Sequence, residues 1–130
     1  MLRVLLLGIA AVGAGALVGC GSNQTPPPPD PKQAALEEVY ALYKLRAEQG
    51  KPPARRVEEL YPFENAYPIG YAAVKSGEVV VNWTAPPSSN SSAVLAYQKE
   101  APSAGGWVAF QDGTVKHLTA EEFAAAPKAK

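Results

Sequence analysis

The feature that most constrains this chain is an apolar run near its start that ends in the only cysteine of the sequence. Arg3 precedes an unbroken apolar and glycine segment from Val4 to Gly19, and Cys20 follows directly. A basic start, a short apolar segment and small residues before a cleavage point are typical of a secretory signal peptide. Because there is no second cysteine, Cys20 has no disulfide partner within the chain.

The four residues Leu17-Val18-Gly19-Cys20 resemble the lipobox of bacterial lipoproteins, in which aliphatic and small residues directly precede a cysteine. The resemblance implies that Cys20 carries a diacylglyceryl group on its sulfur and that a dedicated signal peptidase cuts after Gly19. One acyl chain binds a membrane only reversibly, but two or three chains on one residue hold stably. We therefore expect residues 1–19 to be removed and the protein to be bound to the bilayer through Cys20.

Two other readings of this segment are a plain signal peptide and an uncleaved transmembrane helix. The segment from Val4 to Gly19 is shorter than the about 20 apolar residues that span a bilayer. Its repeated glycines also weaken a permanent helix. Gly21 stands where some lipoproteins carry the Asp that retains them at the inner membrane, which favours the outer membrane. The folded part would face the periplasm or the exterior.

A proline-rich linker over residues 20–31 follows the cysteine. It contains Ser, Asn, Gln and Thr and the consecutive prolines Pro26–Pro29. Such a segment cannot form a packed core, and its prolines favour an extended polyproline II path of about 3.1 Å per residue. We predict a spacer that holds the folded part about 20–30 Å from the lipid surface. A proline-rich ligand for a partner domain is the alternative.

Residues 32–126 are expected to form one small α+β domain that begins with a helix. Asp30 is a suitable helix cap and Pro31 a suitable first helical residue, whereas Gly50 and the pair Pro52-Pro53 end the pattern. Residues 55–63 read as a short second helix or turn. The predicted inward-facing residues of these two segments are Leu36, Val39, Tyr40, Tyr43 and Ala47 in the first, and Val57, Leu60 and Phe63 in the second.

An antiparallel sheet of about four to five strands is predicted to follow. Ser76-Gly77 suggests a hairpin between residues 69–75 and 78–84, with Lys75 opposite Glu78. The same register places Val74 opposite Val79 and Ala72 opposite Val81. Residues 93–99 form the third predicted strand, and residues 100–105 a turn.

Asp112-Gly113 predicts a second hairpin between residues 107–111 and 114–118. In the predicted register Phe110 lies opposite Val115 and Trp107 opposite Leu118. Thr119 and Glu122 have the spacing of a capping box, which indicates a short C-terminal helix with Phe123 facing inward. Residues 127–130 are expected to be a disordered tail.

Two stretches resemble pilin-related proteins. Residues 42–60, with Leu42-Tyr43-Lys44-Leu45, Gly50, Pro53 and Val57-Glu58-Glu59-Leu60, resemble the end of the long helix in type II secretion pseudopilins. Residues 94–97 and 105–115 resemble the C-terminal segment of planctomycete prepilin-like domains, which have a His, nine residues and then Asp-Gly. Here Pro102 occupies the His position, and a cysteine lipidation motif stands where a pilin has its assembly helix. The resemblance implies a pilin-like head, and these departures argue against assembly into a filament.

The residue inventory favours a non-enzymatic role. Lys and Arg balance Asp and Glu at 12 each, and the basic residues are scattered, so no nucleic-acid surface is predicted. His117 is the only histidine, and with Cys20 lipidated a zinc site would lack ligands. The adjacent pairs Glu58-Glu59 and Glu121-Glu122 read as acids of helix first turns, because neighbouring helical residues point in different directions. We therefore expect no cofactor and no metal.

Aromatic residues offer the other route to a function. Trp83, Trp107 and Tyr97 are candidates for a surface that binds a peptide or a glycan, although some aromatic side chains must fill the small core. If both tryptophans were exposed on one face, a binding module would be favoured. The leading expectation is a membrane-anchored lipoprotein with a structural or interaction role, whose partners are the bilayer and an envelope protein or glycan.

Overall fold

The computed structural model describes residues 25–83 and 85–130. Within them, an N-terminal helix packs on a four-stranded antiparallel sheet and a short helix lies near the C-terminus, so the predicted α+β fold is confirmed. The elements in chain order are α1 (Pro31–Glu48), a 3-10 helix (Val57–Phe63), α2 (Pro68–Ser76), β1 (Val79–Val81), β2 (Val94–Gln98), α3 (Ala101–Ala104), β3 (Gly106–Phe110), β4 (Val115–Leu118) and α4 (Ala120–Ala125). Among these helices none is both long and apolar enough to cross a membrane.

The N-terminal helix begins and ends as predicted. Asp30 caps it, Pro31 is its first residue, and Gly50 has a positive φ of 71° just beyond its end. Its buried face is Ala35, Leu36, Val39, Leu42, Tyr43 and Arg46. The face is therefore rotated slightly from the prediction: Ala47 is exposed, and Arg46 is buried in its place. Leu60 and Phe63 of the 3-10 helix are buried as expected, and Val57 is partly buried.

The predicted first hairpin is wrong. Residues 68–76 form α2 and not a strand, so the pairs Lys75–Glu78, Val74–Val79 and Ala72–Val81 do not exist. Pro68 at the first helical position favours a helix start, and Gly77, with a φ of 81°, ends the helix in the left-handed conformation. A Ser-Gly pair suits a helix end as well as a hairpin turn, so Ser76-Gly77 alone does not distinguish the two.

The sheet has the strand order β1-β2-β3-β4, with β1 and β4 at its edges. The second hairpin is confirmed as a pairing, but its register is one residue away from the predicted one. Trp107 lies opposite His117, and Ala109 opposite Val115. The reason is a longer turn: Phe110 N donates to Thr114 O (2.9 Å), and Gly113 adopts a φ of 94°. A three-residue loop with a left-handed residue replaces the predicted two-residue turn.

The two faces of the sheet are covered differently. Helices α1 and α2 cover one face, and the main core lies between these helices and the sheet. The strands contribute Val79, Val81, Ala96 and Ala109 to this core. On the other face a smaller core holds Val94, Ala101, Val108, Phe110 and Phe123. Its helix α4 has the predicted capping box of Thr119 and Glu122. The expected turn at residues 100–105 contains the short helix α3.

The C-terminal segment differs from the predicted disordered tail. Val94 N donates to Pro127 O (2.8 Å), and Ala129 N donates to Val94 O (3.0 Å). Ala129 is buried, with 6% of its surface exposed. These bonds attach the segment to β2 as an isolated parallel bridge, which a reading of local polarity and composition does not detect.

Candidate binding groove

Helices α1 and α2 approach each other closely at Gly70. A Cβ on Gly70 would lie 2.8 Å from Glu38 Cβ and 2.9 Å from Val39 N, so only glycine permits this approach. Gly70 N also donates a hydrogen bond to Glu38 Oε2 (2.7 Å). Nearer the start of α1, residues of both helices and of the sheet line an open groove.

This groove has a volume of about 560 Å³. Its lining combines apolar side chains, of which those of Ala35, Ala73 and Val79 are buried, with charged and polar ones. Ile69, which is 47% exposed, stands among its lining residues. The lining consists of Pro31, Lys32, Ala35, Ile69, Ala72, Ala73, Ser76, Glu78, Val79, Gln98, Lys99 and Glu100. An open apolar groove with polar groups around it is suited to binding and does not by itself indicate catalysis.

An ion pair stands in the wall of the groove. Lys32 Nζ lies 2.9 Å from Glu100 Oε1 and joins the first turn of α1 to the residue that directly precedes α3. This hydrogen bond is the main reason that the pKa of Glu100 lies below, and that of Lys32 above, its ordinary value. Glu100 is consequently ionised at neutral pH. It is poorly suited to donate a proton, since a general acid needs a raised pKa.

A second contact at the same end joins Asp30 to the sheet. Asp30 Oδ1 accepts from Lys32 N (2.9 Å), and Asp30 Oδ2 accepts from the indole Nε1 of Trp107 (3.2 Å). These two hydrogen bonds, in that order, lower the pKa of Asp30. His117 is exposed on the edge strand β4 and packs edge-on against Trp107, with ring centroids 5.5 Å apart.

The opposite end of α1 is held by a buried arginine. Arg46 Nε donates to Pro52 O (2.8 Å), its Nη1 donates to Glu59 O (3.3 Å), and its Nη2 lies 3.8 Å from Glu59 Oε1. Nearby, the Tyr43 hydroxyl is buried without a hydrogen-bond partner among the described residues, and burial raises its pKa. Arg46 is not among the residues that the sequence predicts to face inward, although it follows Tyr43 by three positions and so continues the buried stripe of α1.

The three predicted aromatic residues do not form one surface. Trp83 is half-buried in the turn after β1, with its ring centroid 6.4 Å from that of Tyr43. Trp107 is also half-buried, and both tryptophans pack against the main core. Tyr97 belongs to the other side of the sheet, where its ring centroid is 4.7 Å from that of Phe123.

Around Tyr97 the structure has a separate crevice of about 260 Å³. Val80, on the side of β1 that the helices leave open, is 37% exposed. Lys128 Nζ sits 4.2 Å from the centre of the Phe123 ring and donates to Ala126 O (2.6 Å). The crevice is lined by Val80, Val81, Asn82, Val94, Tyr97, Phe123 and Lys128.

The acidic pairs have structural partners. Glu59 Oε2 accepts from Arg55 N (2.6 Å), which is the largest cause of its lowered pKa. Glu122 Oε2 accepts from Thr119 N (2.8 Å) in the capping box. Asp112, in the turn before β4, accepts from Thr114 N (2.9 Å). Among the described residues no cluster of three or more His, Cys, Asp or Glu side chains suits a metal ion.

Cys20 and Gly19, the predicted lipidation and cleavage residues, lie outside the described residues. A comparison of the chain with protein-family models, with curated proteins and with solved structures found no match.

Proposed function

We propose that this chain is a lipid-anchored protein of the bacterial envelope, whose folded head takes part in structural or binding interactions and not in catalysis. In this proposal the signal segment is removed after Gly19 and Cys20 carries the lipid. The observation that carries the proposal is the position of the first helix: the head begins at Asp30-Pro31, directly after the prolines that follow Cys20. Anchor motif, spacer and folded head follow one another without overlap.

The length of the spacer sets the distance between head and membrane. The segment from Gly21 to Asp30 contains Pro26–Pro29, and those of its residues that are described are exposed and outside any helix or strand. At about 3.1 Å per residue, an extended path of this length spans on the order of 30 Å. Partners of the head are therefore other envelope components near the same bilayer, the outer membrane being favoured.

The groove between α1 and α2 supports the interaction role. It is lined partly by apolar side chains, is open to solvent and lies at the end of the head where the spacer enters, because Pro31 and Lys32 belong to its lining. An open groove that combines apolar side chains such as that of Ile69 with charged groups is suited to binding. The pilin-like resemblance agrees with a head built for contacts, and we propose no filament.

The crevice at Tyr97 supports a second candidate, a module that binds a peptide or a glycan. Tyr97 and Phe123 form an aromatic pair beside exposed Val80, and the crevice has room for one small group. The tryptophans do not contribute to it, because both pack against the main core. This candidate therefore depends on Tyr97 alone among the three aromatic residues that the sequence suggested.

Replacing Cys20 tests the anchor. We expect the native protein to incorporate a radiolabelled fatty acid in growing cells, and the Cys20→Ser variant to incorporate none. Ser22→Ala is the matched control, because it changes a neighbouring side chain but retains the thiol. If the Cys20→Ser variant incorporated the label as the native protein does, lipidation at Cys20 would be wrong.

Crosslinking in cells tests the groove separately. A photoreactive residue in place of Ile69 should crosslink a distinct envelope protein, because this side chain stands among the groove residues. The same residue in place of Tyr61, which is 66% exposed but is not part of the groove lining, is the control. Equal products from both positions, or none from Ile69, would contradict a binding role for the groove.

A further inference from the structure

Asp30 makes two bonds at once at the junction between the proline-rich segment and the head. Its Oδ1 caps α1 by accepting from Lys32 N (2.9 Å), whereas its Oδ2 accepts from Trp107 Nε1 (3.2 Å). Trp107 belongs to β3 and packs against His117 of β4. A helix cap needs only the first of these bonds, so the second is an additional link between the spacer end and the sheet.

The backbone at this junction is extended. Asp30 has φ −55° and ψ 125°, close to the polyproline II conformation. The following Pro31 disfavours the helical conformation at Asp30, so the chain has little freedom to bend there. The preceding prolines, Pro26–Pro29, are stiff over several residues. A direction fixed at Asp30 is therefore carried outward along Pro26–Pro29.

We propose that the hydrogen bond between Asp30 and Trp107 fixes the direction in which the spacer leaves the head. Asp30 and Trp107 are then positioning residues, which hold the head in one orientation relative to its anchor. The groove stays beside the spacer, because Pro31 and Lys32 belong both to the first turn of α1 and to the groove wall. The use of this orientation in the cell rests on the proposed function, whereas the geometry itself is measurable on a chain without lipid.

Two substitutions separate the positioning bond from the helix cap. Asp30→Ser retains a capping oxygen for Lys32 N, since Ser and Asp are about equally good caps, but it removes the carboxylate that reaches Trp107. Trp107→Phe retains an aromatic ring against His117 but removes the N–H donor. Lys32→Ala is the matched control. It breaks the exposed pair with Glu100 in the same helical turn and leaves the Asp30–Trp107 bond in place.

The experiment uses Cys20, the only cysteine, as the attachment site for a nitroxide spin label. The full chain is produced without lipid, kept in detergent, and its backbone amide signals are recorded by NMR. Broadening by the label is compared on two sides of the α1 start, residues 69–76 of α2 and residues 115–118 of β4. With a fixed spacer direction, we expect one side to be broadened several-fold more than the other.

In Asp30→Ser and in Trp107→Phe the broadening should become similar on both sides, while Lys32→Ala should keep the imbalance. If Trp107→Phe proves unfolded, Asp30→Ser alone decides the question. Equal broadening of both sides in the native sequence would overturn the proposal, and so would an imbalance that survives Asp30→Ser. Neither result depends on the lipid, so this test and the test of the anchor fail independently.

Discussion

Both ends of α1 are attached to distant parts of the chain by charged side chains, but the two attachments lie in different surroundings. At the C-terminal end, Arg46 is only 8% exposed and bonds to the carbonyl oxygens of Pro52 and Glu59. At the N-terminal end, Asp30 and Lys32 are exposed and bond to Trp107 and Glu100. Hydrogen bonds of charged side chains therefore hold both ends of α1, but those at the C-terminal end are made by a buried residue and those at the N-terminal end by exposed residues.

Because the two ends of α1 differ in burial, we expect one to stabilise the head and the other to fix local geometry. Removing the buried Arg46 side chain would take the donor from the part-buried carbonyl oxygens of Pro52 and Glu59 and would leave a gap in the packing, which is costly. Exposed ion pairs contribute little to stability, because water competes with them and screens them. The C-terminal end of α1 is thus expected to stabilise the head. The N-terminal end is expected to set local geometry around the groove and the spacer.

Arg46→Ala should have the largest effect. It removes the donor to Pro52 O and Glu59 O, and we expect the free energy of unfolding to fall by about 3 kcal/mol. Urea denaturation measures the change. Lys44→Ala, on the exposed side of the same helix, is the control and should change stability by less than about 0.5 kcal/mol. Similar losses for both variants would remove the distinction between a buried and an exposed end.

Gly70→Ala tests the crossing that lies between the two ends. The added methyl group would lie 2.8 Å from Glu38 Cβ, so the helices must move apart. We expect a loss of about 1–2 kcal/mol, because overpacking outweighs the better helix propensity of alanine. Urea denaturation measures it, with Ala72→Ser on the exposed side of α2 as the control. An unchanged stability would contradict the close approach of the two helices at Gly70.

Asp30→Ala should have a smaller and more local effect. Loss of both the cap and the bond to Trp107 should speed hydrogen exchange of the first-turn amides of α1 several-fold, with little change near Arg46. Asp30→Ser should lie between Asp30→Ala and the native sequence, because serine retains the cap. Exchange followed by NMR gives the answer residue by residue. Equally faster hydrogen exchange along all of α1 would show that its N-terminal turn does not open independently of the rest of the helix.

The effect of pH should be the smallest. The pKa values of Asp30 and Glu100 are held below their ordinary values of 3.8 and 4.5. Their contribution to stability is therefore fully present above about pH 4.5 and is lost as the pH falls through the lowered folded-state pKa values. The difference in urea midpoint between the native sequence and Asp30→Ser should shrink between pH 7 and about pH 3. A difference that is constant with pH would contradict ionised Asp30 as the acceptor.

Local signals with one physical meaning predicted their elements correctly. Asp30-Pro31 marks a helix start, Thr119 with Glu122 marks a capping box, and Asp112-Gly113 marks a hairpin; all three are present. The Ser76-Gly77 pair failed because it suits both a helix end and a turn. Pro68 at the first helical position and the packing of α2 against Glu38 favour the helix. The hairpin register shifted because one extra loop residue is not visible in the alternation of apolar residues.

The candidate groove was not predictable in the same way. Its walls come from α1, α2 and the end of β2, which are far apart in sequence, and no motif marks their meeting point. The link between Asp30 and Trp107 spans 77 residues. Of the site residues suggested by sequence, Trp107 lies at this junction, where its indole Nε1 donates to Asp30 Oδ2.

Mass spectrometry of the native protein, purified from membranes, is the direct test of the lipid anchor. We predict a mature chain whose first residue is Cys20 and whose mass includes a diacylglyceryl group on that residue. A chain that retains residues before Cys20, or that carries an unmodified thiol, would contradict it.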